Sequence, residues 1–103
     1  MPISLLYVPC PNADVAQRII DTLLDEKLVA CGNHFPATSS FFWENGRQTE
    51  AEQIAIFKTI PEKAAAAVAR IEALHPYEVP CILTFLVESN ACFEAWARSI
   101  MKD

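Results

Sequence analysis

The segment His75-Pro76-Tyr77-Glu78-Val79-Pro80 sets the narrowest limit on how this chain can fold. Pro76 has no N–H to give a helix and drives His75 out of helical torsions, so the alanine-rich helix before it is predicted to end near Leu74. Pro80 biases Val79 toward extended torsions, and the chain is predicted to leave as a strand, Cys81 to Val87. An imidazole, a phenol and a carboxylate are thereby carried on one short, stiff connection. Functional groups are often held on such a loop when a rigid scaffold supports it. For an isolated loop the plainer use is the commoner one: the His caps the last carbonyls of the helix and the Tyr packs.

Similar punctuation orders the rest of the chain. Ile3 to Val8 reads as a largely buried strand stopped by Pro9-Cys10-Pro11. Asn12 suits an N-cap. Behind it Val15, Ile19, Leu23 and the adjoining Ala16, Ile20, Leu24 recur at helical spacing to about Lys27. From Ala30 to Glu44 the pattern is extended, and Asn45-Gly46 signals a hairpin. Pro36 inside that run calls for an edge strand or a bulge. In the return strand, Glu50 to Thr59, Ile54, Ile56 and Lys58 alternate with Gln53, Ala55, Phe57 and Thr59. If the two isoleucines take the core face, Lys58 lies at the end of it and Glu52 shares it. Pro61 opens a second helix with the stripe Ala64, Ala67, Val68, Ile71, Leu74, and Asn90 caps a third with Phe93, Trp96, Ala97 and Ile100 on one face.

Strand, helix, strand, strand, helix, strand and a closing helix make an α+β chain. The order is that of the ferredoxin-like βαββαβ arrangement, with both main helices on one face of an antiparallel sheet. One domain over residues 1–103 is expected, long enough to bury a core without staples. The opposite sheet face is left uncovered. Because 52% of the chain is hydrophobic, that face and the aromatic hairpin are expected to be buried against further copies of the chain.

A net charge of −5 without a Lys/Arg cluster argues against nucleic acid and anionic membranes as partners. No apolar run spans a bilayer and no leader pattern opens the chain, so a complete, cytoplasmic protein without membrane insertion is expected. Cys10, Cys31, Cys81 and Cys92 have no paired spacing and are expected as free thiols, the last three in the core.

Leu28-Val29-Ala30-Cys31-Gly32-Asn33 with Pro36 and Ser40, then Gly46, Glu52, Lys58-Thr59, the 75–80 segment and Trp96, resemble the CutA divalent-cation-tolerance family, and Cys10-Pro11-Asn12 matches the first loop of many members. The resemblance implies a ferredoxin-like subunit in a tight homotrimer, with a link to metal tolerance and copper. It also implies a likeness to the trimeric PII signalling proteins. One departure falls at the hairpin, where members show Ser-x-Tyr-x-Trp-x-Gly. Here Phe42 replaces the phenol and the indole stands one position early, at Trp43, which alternation turns to the other face.

Two kinds of site follow. For copper or another divalent ion, His75 offers imidazole, Cys10 a thiolate and Glu78 a neutralising carboxylate, assembled only between subunits because their spacing makes no local cluster. Copper is then a ligand that folding does not require. For a small-molecule sensor or signalling module, Glu52, Lys58 and Tyr77 join His75 and Glu78 in a cleft between subunits, with Lys58 holding an anionic group. Nucleophile-elbow, phosphate-loop and metal-hydrolase motifs are missing, so an enzyme is not expected.

Overall fold

The computed structural model describes residues 1–102; position 103 lies outside the described residues. The elements are β1 (Pro2–Cys10), α1 (Ala13–Asp25), β2 (Cys31–Trp43), β3 (Gly46–Thr59), α2 (Pro61–Leu74), β4 (Leu83–Glu88) and α3 (Ala91–Ile100). The four strands form one antiparallel sheet in the order β2-β3-β1-β4, the expected ferredoxin-like topology. Among the described residues no helix is long and apolar enough to cross a membrane.

Local chemistry accounts for the helix limits. Asn12 Oδ1 accepts the Val15 N–H at 2.9 Å, the expected cap. At its other end α1 closes with Lys27 N–H on the Leu24 carbonyl and Leu28 N–H on the Leu23 carbonyl, a Schellman closure that holds Lys27 at φ 56°. Pro61 starts α2, and His75 stops it in extended torsions. Asn90 stands at the start of α3 but makes no side-chain bond to a helix N–H; its amide turns to Cys92 Sγ instead.

The face assignment reverses one expectation. Leu6, Val8 and Cys10 of β1 and Ala55 and Phe57 of β3 form the core with Ala16, Ile19, Ile20 and Leu23 of α1 and Ala67 and Ile71 of α2. Ile54, Ile56, Lys58 and Glu52 therefore lie on the other face, where they pair with Phe35, Asn33, Cys31 and Ala37 of β2. Both alternations are apolar, and the docking of α1 and α2 decides between them. α1 also comes close over Gly32, where a Cβ would stand 2.7 Å from Ile20 Cγ2.

Pro36 sits on an edge strand without a bulge, since β2 and β3 keep one register from Cys31↔Lys58 to Trp43↔Gly46. The turn falls on Glu44-Asn45, one residue before the expected pair. Gly46 follows it at φ 111°, a conformation that a side chain would strain. β1 pairs β3 only from Gln53 onward, so the Gly46–Glu52 half of β3 and its partners project as a two-stranded arm. β4 begins at Leu83 and not at Cys81. The β1–β4 ladder ends at Tyr7↔Leu83, beyond which Pro9 has no N–H to offer and gives its carbonyl to His75.

α3 packs against the ends of β3 and α2. Ala97 and Met101 meet Ala30 and Ile60, Arg98 bridges Glu62 and Glu94, and Lys58 Nζ lies 5.8 Å from the centre of the Phe93 ring. Trp96 and Ile100 stay exposed, as do Phe35, Leu83 and Phe85 on the sheet face that α1 and α2 do not cover.

Replacing Lys27 by Gly removes the penalty of an L-residue in the left-handed region and is expected to stabilise the subunit by about 0.5–1 kcal/mol. Urea denaturation at unchanged m-value checks this; an unchanged or lower midpoint would show that the closure carries no strain.

Candidate functional site

The 75–80 segment is held by its own imidazole. His75 is buried, and its Nε2–H donates to the Pro9 carbonyl at 2.8 Å while Nδ1 accepts the Tyr77 N–H at 3.1 Å. Those two bonds require the neutral ring with its proton on Nε2. They also use both nitrogens. The ring lies 4.7 Å from that of Tyr77, which it turns toward the sheet.

Tyr77 then donates its phenolic proton to Glu52 Oε2 at 2.5 Å. Burial, followed by this bond and the charges of Glu52 and Glu50, holds the phenol well above its usual pKa. Glu52 is only 8% exposed, and among the described residues it forms no ion pair. Its second oxygen, Oε1, has no partner among them. A carboxylate is thus buried against a neutral donor alone, an arrangement that favours a cation nearby.

The space beside this pair is a recess of about 650 Å³ between the arm and the 76–81 loop. Phe41, Trp43 and Tyr77 supply rings to its wall, Glu50, Glu52 and Glu78 supply carboxylates, and Cys81 supplies a thiol. None of the residues lining it is basic. The volume falls in the range of small-molecule sites.

The residues singled out in the sequence are only partly brought together. His75, Tyr77, Glu52 and Glu78 gather at one end of the sheet. Lys58 does not join them: it stands six residues along β3 from Glu52, about 20 Å at strand rise, and faces Phe93. Cys10 sits in the helix-side core, its S–H directed at the Val8 carbonyl 3.5 Å away. Burial, with the Glu52 charge adding to it, pushes its pKa up to about 11. The cysteines thus reverse their expected places. Cys10 is buried, Cys31 is half-buried, and Cys81 and Cys92 are exposed. Glu50, Cys81 and the Pro9 carbonyl were not anticipated as site groups. Glu50 could have been found from its shared parity with Glu52.

Among the described residues no three His, Cys, Asp or Glu side chains converge inside one subunit. The indole of Trp43, displaced by one position, still reaches the recess.

A model of the CutA1 divalent ion tolerance proteins matches residues 4–99. The chain belongs to the CutA1 family. The divalent-cation tolerance protein CutA of Archaeoglobus fulgidus is 38% identical over 85 residues, 82% of this chain and 83% of that protein. CutA of Thermotoga maritima is 39% identical over 85 residues, 82% and 84% of the two chains. The solved structure described as the periplasmic divalent cation tolerance protein CutA of A. fulgidus superposes with a TM-score of 0.93 at 34% identity, covering 97% of this chain and 99% of that one. The ferredoxin-like subunit is therefore the CutA1 subunit, and the recess lies within its matched span.

In this CutA1 chain the exposed thiols should react long before the buried one. At pH 8 iodoacetamide is expected to modify Cys81 and Cys92 at least tenfold faster than Cys10, read by peptide mass spectrometry, because Cys10 is both buried and protonated. Equal rates would mean that the β1 end opens in the folded state.

Proposed function

We propose that the protein is a homotrimeric binder of positively charged ligands, divalent metal ions among them, and that its working site is the Glu52–Tyr77 recess at the seam between subunits. The observation that carries the reading is Glu52: a carboxylate buried with no cationic partner among the described residues, its second oxygen beside an acidic, ring-lined recess. The trimer is the assembly that the family resemblance implies. It is supported by Phe35, Leu83 and Phe85 on the bare sheet face and by Trp96 and Ile100 on α3, a surface too apolar to be left in water.

A metal ion in this reading is held by Glu52 and Glu78 of one subunit, with donors from its neighbour completing the shell. Copper at Cys10 and His75 would have to ionise a thiol whose pKa is about 11 and displace one of the two hydrogen bonds of the imidazole. In this reading the thiol offered to copper is that of Cys81, exposed at the recess. Binding rather than catalysis fits a site whose phenol is held in its protonated form. Four free thiols, two of them exposed, fit a cytoplasmic location.

A PII-like sensor is the second reading, favoured by the size of the recess and its ring-bearing wall. It differs in the ligand and shares the site.

Light scattering should give the mass of three subunits at micromolar concentration; a single-subunit mass would remove the seam and with it this reading. Titration with Cu(I), Cu(II) and Mn²⁺ against a competing chelator is expected to lose at least tenfold in affinity in Glu52→Gln. For copper the same loss is expected in Cys81→Ser, with Cys10→Ser within about twofold of the parent. Loss in Cys10→Ser alone would move the site to the β1 end.

A further inference from the structure

A metal ion and an organic cation ask different things of a carboxylate site. A divalent ion needs several oxygens within about 2.0–2.6 Å of one point. An alkylammonium group is held by ring faces within about 6 Å together with nearby negative charge, without a shared point of coordination. In one subunit Glu50, Glu52 and Glu78 line the recess together with the rings of Phe41, Trp43 and Tyr77, and no three His, Cys, Asp or Glu side chains among the described residues converge.

From this arrangement we infer that the recess is a binding site for a small organic cation carrying a primary or quaternary ammonium group, seated between Trp43 and Tyr77 and neutralised by Glu52. The inference rests on the recess being the working site and names its ligand class. Three features bear on it independently. The negative charge of the lining is uncompensated, since no Lys, Arg or His contributes to it. Glu52 is fixed in place by the Tyr77 hydroxyl, so one oxygen is oriented and the other is left for a ligand. Tyr77 is itself fixed through the His75 ring and the His75 bond to Pro9, so the wall is built before a ligand arrives and little ordering cost falls on binding. The field of the site is already felt by its neighbours: Glu52 and Glu50 both act to retain the phenolic proton of Tyr77.

Tetramethylammonium, with tert-butanol as the uncharged probe of similar shape, tests the inference on the assembled protein. The readout is the indole N–H resonances of Trp43 and Trp96. Saturable shifts confined to Trp43, absent with tert-butanol, and weakened at least tenfold in Glu52→Gln are expected; in Trp43→Leu, which lacks that resonance, the same loss is expected by isothermal titration calorimetry. Glu50→Gln, at an exposed position, is expected to weaken binding about twofold to fivefold and guards against misfolding of the buried variant. Equal response to tert-butanol, or no saturable shift of Trp43, overturns the inference. If Mn²⁺ or copper binds in a Glu52-dependent way while tetramethylammonium does not, only the ligand class is wrong. If no cation of any kind binds, the recess reading falls with it.

Discussion

Alternation along β1 and β3 divides a strongly apolar chain into two apolar sheet faces, and two helices cover only one. On the covered side Leu6, Val8, Ala55 and Phe57 meet α1 and α2 in a closed core. On the other side Ile54 and Ile56 lie in register with Phe35 and Asn33, and beside them Leu83 and Phe85 stand open. Since burial is worth about 25 cal/mol per Å² of apolar surface, rings and leucines left in water are a standing incentive for association. The projecting arm and the exposed side of α3 carry the same bias. In the proposed reading, recognition at the end of such a sheet is shaped by the assembly as much as by the subunit.

His75 links that architecture to the site. Its bond to Pro9 anchors the connection after α2 to the end of β1, and its second nitrogen sets the turn into Tyr77. From Tyr77 the chain of contacts reaches Glu52 on β3. One neutral imidazole thus ties a loop to two strands of the sheet. It is a positioning residue within its own subunit, its Nε2–H engaged as a donor and its Nδ1 as an acceptor.

Much of the fold was legible because prolines and caps mark it. Asn12, Pro61 and Pro76 bound the helices where expected, and the order of elements admits few topologies. What was illegible follows from choices between equals. Ile54 and Ile56 look as fit for the core as Ala55 and Phe57, and only the docking of α1 and α2 decides between them. The start of β4 depends on a carbonyl of β1 being claimed by a side chain 66 residues away. Cysteine type says little about depth, so Cys10, marked for ligation, is interior and Cys81, marked as core, borders the recess. Lys58 and Glu52 do share a face, but strand rise separates them too far to act on one ligand.

The sheet order has a consequence for how the chain is made. β2 and β3 are joined by a two-residue turn and find each other at once, whereas β1 and β4, neighbours in the sheet, are separated by most of the sequence. During synthesis β1 emerges long before β4 exists, so the hairpin can zip early and β1 be inserted between its two partners only near the end. Completion of the sheet is therefore the pairing of greatest sequence separation, and until it happens the flank of β1 that β4 later covers is open to other chains.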